Sequence, residues 1–380
     1  MQSTVESVIG SLREIMRLPG AEQQRITLEL LQQNILHHYG SNAFFRAQCD
    51  AVAFDPYAVE QPEDLLKLPL IPMKTFKSPN SHVLLSVPLT DIELEIKSTG
   101  TSGIPSVTRR DSRTVDRAAM AMLALYREFF AFSRGSGVFL APSLAESPEM
   151  GMVKALNIFC GLLSEAKYLV KDYAFYPEDA LEALNAAANK ETRYIFGPPF
   201  LVSRLLAYME ENDLRIQLDP QSFIIMIGGW KRFTGEFIGR DQLLAKIEDR
   251  LGLPANRVRD MYGMVEANVL AIECEHHNKH MPPWCHLSIR SLTDPNQEVA
   301  QGEEGVIALL DATSLSYPGF ILSEDVGACV GTSCPCGREG PIVTFYRRVE
   351  GGEYGCCAVS LEKFIETREI VASCKIDAAE

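Results

Sequence analysis

Apolar residues at helical spacing open the chain: Val5, Ile9, Leu12, Ile15 and Met16, then Ile26, Leu28, Leu30, Leu31 and Ile35. Both stripes predict amphipathic helices, so residues 1–90 are expected to form a helical lead-in packed on the core. Pro62, Pro69 and Pro72 punctuate its end, and residues 68–76 are expected to run extended into a central sheet. From 91 to 348 the pattern changes. Short apolar runs at 137–141, 168–170, 194–197, 223–228 and 306–310 have the length of buried strands, with helical stretches such as 177–189 and 235–250 between them. That alternation predicts an α/β core with covered sheets. No internal repeat or low-complexity linker interrupts it, and residues 349–380 form a short tail, too small for an ordinary independent domain.

One stretch inside this frame cannot build core: Ser98-Thr99-Gly100-Thr101-Ser102-Gly103-Ile104-Pro105-Ser106. Residues 91–96 before it alternate polar and apolar, as a strand does, and residues 114–132 after it have helical periodicity. Strand, small-residue loop and helix predict a place where backbone N–H groups and hydroxyls surround an anion. The loop is not of the Walker type, because its glycine spacing and lysine are absent.

Composition narrows the partners. A net charge of -14 over 380 residues argues against nucleic acid or an anionic membrane, although Lys231-Arg232 and Arg347-Arg348 could still meet an anion. No apolar run is long enough to span a bilayer, and the N-terminus has no charged segment followed by an apolar one, so no signal peptide is expected. Ten cysteines in such a chain predict reduced thiols in the cytoplasm, several serving a metal or catalysis or simply filling core.

The loop resembles the phosphate-binding signature of the adenylate-forming superfamily of acyl-CoA ligases, luciferase-like enzymes and adenylation domains. Further similarities follow in that superfamily's order: Ile227-Gly228-Gly229-Trp230-Lys231, Met261-Tyr262-Gly263-Met264-Val265-Glu266, Ser323-Glu324-Asp325-Val326-Gly327 and Arg347-Arg348-Val349-Glu350-Gly351. The resemblance implies an acyl-CoA ligase-like N-terminal domain fold, here without a full-size C-terminal lid domain, and the use of ATP and Mg²⁺. It implies a triphosphate clamp of Ser98, Thr99, Gly100, Thr101, Ser102 and Gly103, and a backbone close to adenine at Gly228 and Gly229. Tyr262 would lie against adenine, Glu266 would hold Mg²⁺, Asp325 would accept the ribose hydroxyls and Arg348 would be the hinge arginine. Many members carry lysine just after the loop proline. This chain has Ser106, which leaves the phosphate charge to Mg²⁺ and to Arg109 or Arg110.

From about 65 to 365 the chain is most similar to the acyl-protein synthetases of bacterial bioluminescence, the long-chain-fatty-acid–luciferin-component ligases, and more distantly to phenylacetate–CoA ligase. Ile71-Pro72, Leu140-Ala141-Pro142-Ser143, His280-Met281-Pro282-Pro283, Ser316-Tyr317-Pro318-Gly319-Phe320 and Cys357-Ala358-Val359-Ser360 carry this similarity. It implies activation of a carboxylic acid to acyl-AMP, transfer to the enzyme's own Cys357, and delivery to a partner such as a reductase. Two alternatives stay open: the same adenylate passed to CoA or a carrier protein, and a non-catalytic nucleotide-binding scaffold subunit. Lys363 or Lys375 would have to replace the missing lid lysine, if any does. Either a homo- or a hetero-oligomer is compatible with the sequence.

Cys274, His276, His277, His280, Cys285 and His286 crowd one segment, and Cys334-Pro335-Cys336 follows it. Cys274, His280, Cys334 and Cys336 would supply four soft or borderline ligands suited to a structural, tetrahedral zinc. The alternative is a histidine-rich loop with unrelated buried thiols. Gly197-Pro198-Pro199-Phe200 is expected to form one apolar wall of the acyl pocket, without a fixed countercharge.

Overall fold

The computed structural model describes residues 3–98, 104–132, 134–188, 190–228, 238–349 and 361–368. They form two compact units, each assembled from separate stretches: Met1–Phe129 with Tyr262–Tyr354, and Phe130–Met261 with Gly355–Glu380.

In the first unit the lead-in folds into helices that include Val5–Gly10, Gly20–Ser41 and Ala43–Ala51. Thr4 and Ser7 cap the first reciprocally, and the Asn42 side chain accepts from the Phe45 amide at 2.7 Å to start the third. The long middle helix buries Ile26, Leu30, Leu31 and Ile35, but also Gln23, Thr27, Asn34 and His38. These polar residues have carbonyl partners: Thr27 Oγ1 donates to Pro283 O (2.7 Å) and Asn34 Nδ2 to Ser314 O (2.6 Å). Burial keeps the His38 pKa well below that of a free imidazole.

Residues 68–76 are extended only in part. Ile71 and Pro72 pair in parallel with Ile321 and Leu322, and Met73–Lys77 then coils into a 3₁₀ turn. The i, i+3 spacing of Met73 and Phe76 lets that turn bury both. The anion loop also differs from expectation. A second strand, Val107–Asp111, pairs antiparallel with Ile92–Lys97 before the helix Ser112–Phe130 begins, so the loop is the connection of a hairpin. Ser98 N donates to Ser106 O at 2.9 Å and Ser106 N to Ser98 Oγ at 2.8 Å, closing its base. Residues 99–103 lie outside the described residues.

After Tyr262 this unit is an antiparallel sheet in the order Cys285–Arg290, Gly305–Asp311, Gly319–Ser333, Glu339–Arg348, Lys279–His280, Leu270–Glu273. No helix lies in the connections between these strands, and the run at 306–310 pairs antiparallel with Cys285–Arg290 and Gly319–Ser333 rather than joining a parallel sheet. Ile71, Phe76, Leu287, Ile307, Tyr317 and Ile321 are at the centre of its core.

The second unit is the parallel part. Its strands lie in the order Val258–Gly263 (first four residues), Phe223–Ile227, Thr192–Gly197, Gly135–Phe139, Glu165–Tyr168. The helices Gly151–Cys160, Pro177–Ala186, Pro199–Glu211 and Arg240–Leu251 come between them in the chain. Phe223 to Met226 are wholly apolar and buried, as strands covered on both faces require. The helical stretch 361–368 belongs here too: Leu361 and Ile365 are buried, and the Phe364 ring centre is 5.0 Å from that of Tyr173.

Candidate active site

Tyr262 and Gly263 end the strand Val258–Gly263, and the chain then turns back through 264–268 to Leu270–Glu273. A Cβ at Gly263 would be 2.9 Å from Val269 O, so the turn needs glycine there. Glu266 lies in this turn and is only 2% exposed. Burial raises its pKa; the Ser106 hydroxyl, its own amide and the Arg348 charge work against that, while the Asp325 charge adds to it. Glu266 Oε1 is buried and accepts no hydrogen bond among the described residues. The structure thus brings together Glu266 and Ser106 at the base of the hairpin loop.

Asp325 and Arg348 face each other across the antiparallel pair Gly319–Ser333 and Glu339–Arg348. Arg348 Nε is 2.7 Å from Asp325 Oδ1, and Tyr262 Oη donates to Asp325 Oδ2 at 3.0 Å. Arg348 Nη1 also lies 3.6 Å from Glu324 Oε2, which Lys77 Nζ approaches at 3.9 Å. Burial, reinforced by the Asp325 charge, holds the Tyr262 pKa well above that of a free phenol, so Tyr262 stays a donor. Its ring stacks on Phe345 with centroids 6.1 Å apart and planes 21° from parallel.

Tyr262, Glu266, Asp325, Arg348 and Ser106 therefore belong to one site in the first unit. Gly228 ends the strand Phe223–Ile227 in the second unit with φ +103°, a conformation suited to glycine. Gly229 and Cys357 lie outside the described residues, as do Thr99 to Gly103 and Lys375. The two arginines expected near phosphate have other partners. Arg109 Nε pairs with Glu95 at 2.9 Å and its Nη1 donates to Ser81 Oγ at 3.1 Å, while Arg110 is buried and directed at the turn around Glu266.

Cys274, His280, Cys334 and Cys336 converge as well, their ligand atoms all within 4.8 Å of one another. Cys274 Sγ is 3.6 Å from Cys334 Sγ, and Cys336 Sγ is 3.4 Å from His280 Nε2. A tetrahedron with Zn–S of about 2.3 Å and Zn–N of about 2.0–2.1 Å has edges of about 3.5–3.8 Å, close to these separations. Burial, then the Arg338 charge, lowers the His280 pKa to about 4, so the imidazole is neutral, as a ligand must be. Asn278 Nδ2 donates to Cys334 Sγ at 3.2 Å. Of the other residues in the crowd, His277 pairs with Glu273 at 3.3 Å. Burial lifts the Cys285 pKa far above that of a free thiol and lowers that of His286 to about 4.

The sequence model of the family described as "Acyl-protein synthetase, LuxE" matches residues 3–365. The chain belongs to this family. A long-chain-fatty-acid–luciferin-component ligase of Aliivibrio fischeri is 27% identical over 352 residues, spanning 91% of this chain and 90% of the relative. Its Vibrio harveyi counterpart is 25% identical over 348 residues, spanning 90% and 89%. Among solved structures, 2-hydroxyisobutyryl-CoA ligase in an open conformation with 2-HIB-AMP and CoA superposes with a TM-score of 0.65 at 19% identity, over 87% of this chain and 76% of that one. That likeness gives the fold, the adenylate-forming one.

As an acyl-protein synthetase, the chain is an ATP-dependent acid–thiol ligase that forms acyl-AMP and transfers the acyl group to a protein thiol. The family match begins at residue 3, so the helical lead-in belongs to the family's architecture. No helix among the described residues is long and apolar enough to cross a membrane. Sequence reasoning assigned no role to two residues that support the site. Tyr317, whose Oη donates to Glu266 O at 3.0 Å, and Phe345 behind Tyr262 come from strands or loops remote in sequence. No local pattern marks Phe345, whereas Tyr317 lies in the Ser316-Tyr317-Pro318-Gly319-Phe320 match, which gave it no role.

Proposed function

We propose that acyl-AMP forms at the cluster of Tyr262, Glu266, Asp325 and Arg348, and that Cys357 takes up the acyl group. The observation that carries this reading is the Glu266 carboxylate, buried with one oxygen unpartnered among the described residues, beside the base of the Ser98–Ser106 loop. A carboxylate is the hard ligand Mg²⁺ takes beside phosphates, and the bound ion neutralises charge on them. The loop residues Ser98 to Gly103 cradle the triphosphate, and Gly228 and Gly229 let backbone approach the base. Asp325, paired with Arg348 and aligned by Tyr262, accepts from the ribose hydroxyls. The substrate carboxylate attacks the α-phosphate in line and pyrophosphate leaves.

The acyl-AMP is a mixed anhydride. A Cys357 thiolate bonds to its acyl carbon, the C–O bond to phosphate breaks, and AMP departs with the electron pair. The thioester then passes to a reductase-type partner in the cytoplasm, where the chain's thiols stay reduced. Cys274, His280, Cys334 and Cys336 hold one zinc that pins the hairpin at 273–280 to the one at 333–339 and does no chemistry.

Carboxylate-dependent pyrophosphate exchange tests the first half-reaction, starting with long-chain fatty acids, the acids named for the relatives. Mass spectrometry should then find the acyl group on Cys357, and Cys357→Ser should keep exchange and lose the adduct. Thioester formation on CoA by Cys357→Ser at the wild-type rate would assign the acyl group to CoA instead. Metal analysis returning far less than one zinc per chain removes the zinc.

A further inference from the structure

The turn carrying Glu266 is fixed by a buried cation that the chemistry above does not use. Arg110 is 4% exposed and belongs to the second strand of the loop hairpin. Its guanidinium donates in three directions: Nη2 to Val265 O (2.7 Å), Nε to Asn268 Oδ1 (2.7 Å) and Nη1 to Thr108 Oγ1 (2.8 Å). Two of these acceptors flank Glu266 in the turn, and the third is on the hairpin strand that begins one residue after Ser106. The guanidinium also lies over the Tyr317 ring, 5.9 Å from its centre, and the same tyrosine donates to Glu266 O. Asp311 completes the frame by accepting the Asn268 amide at 3.0 Å on Oδ2.

A planar fork with fixed donor directions ties three acceptors at once; a lysine ammonium in the same space has neither the reach nor the plane. Desolvating a guanidinium is costly, so a cation placed here only to fill space would be a poor solution. We propose that Arg110 is a positioning residue for the adenylation step: it locks the turn and the phosphate hairpin together so that the Glu266 carboxylate is held at the metal–phosphate position. This inference rests on the reading of Glu266 as the Mg²⁺ ligand.

The test measures ATP binding by calorimetry, with and without Mg²⁺, on the full chain. Wild type should bind ATP more tightly with Mg²⁺. Arg110→Lys should reduce that Mg²⁺ enhancement by about 10-fold, the scale of removing an outer-sphere support. It should still melt cooperatively, at a lower temperature than wild type, and its Mg²⁺-free affinity should stay near wild type. Glu266→Gln should remove the enhancement, and adding Arg110→Lys to it should change nothing more, since two residues acting through one group are not additive. An intact enhancement in folded Arg110→Lys overturns the proposal, as does an equal loss with and without Mg²⁺. Should Arg110→Lys fail to melt cooperatively, Tyr317→Phe is read by the same criteria. If Glu266→Gln alone keeps the full enhancement, the reading of Glu266 falls, whatever Arg110→Lys does.

Discussion

At the scale of single residues, the site relies on burial to set protonation. Tyr262 is kept neutral so that it can donate to Asp325, and Arg348 pairs with the other Asp325 oxygen. Tyr262→Phe removes one hydrogen bond to a charged acceptor, a contribution of about 1.5–3 kcal/mol. The KM for ATP in pyrophosphate exchange should rise roughly 10-fold or more, with the KM for the acid little changed. Glu266 has the opposite problem, because burial without a metal disfavours its charged form. Its folded-state pKa lies above the ordinary 4.5, so its contribution to stability is full below that value and is lost as pH rises through the folded pKa. Glu266→Gln should therefore melt higher than wild type in metal-free buffer at neutral pH while losing exchange. Melting curves across pH 4–8 check it: a wild-type excess at neutral pH would mean that the carboxylate is not paying a burial penalty.

At the scale of elements, two devices hold the first unit together. One is the polar stripe Gln23, Thr27, Asn34 and His38 on the long lead-in helix. Asn34→Ala removes the shorter of two contacts to Ser314 O, leaving His38 Nε2 at 3.2 Å, and should cost about 0.5–1.5 kcal/mol, seen as a lower denaturant midpoint at unchanged slope. The other is the Cys₃His cluster. Chelation, or Cys334→Ser, should lower the melting temperature and release zinc to a colorimetric indicator. Pyrophosphate exchange should survive at temperatures where the protein stays folded. The stripe at 23, 27, 34 and 38 has helical spacing, so it was present in the sequence but masked by the apolar stripe beside it. The hairpin that carries the loop at 98–106 was legible in less degree. Val107-Thr108-Arg109-Arg110-Asp111 holds only one apolar side chain, and its strand character comes from pairing with Ile92–Lys97.

At the scale of the molecule, the family's two half-reactions should separate. The stretch 361–368 begins four residues after Cys357 and buries Leu361 and Ile365, while Arg368 donates to Lys171 O at 3.1 Å. Ile365→Asp puts an unpaired charge where an apolar side chain is buried and should release that stretch. If Cys357 is the acyl acceptor proposed above, its acylation should then slow by about 10-fold while acid-dependent exchange is unchanged. Equal loss of both activities would show that the stretch serves the adenylation site itself.

By itself the sequence determined the strands and helices whose apolar periods are strong, the order of the motifs that resemble the family, and the four Cys and His side chains that converge. Those features are local, or depend only on residue type and spacing along the chain. Tertiary structure alone decided the rest. Glu266 gained Ser106, Tyr317 and Arg110 as neighbours, Asp325 came into register with Arg348, and Arg110 went to the turn rather than to phosphate. Each of these depends on which strands pair and how a turn packs against a hairpin. Such contacts join residues far apart in the chain and are selected by the packing of the whole unit, so no window of sequence contains them.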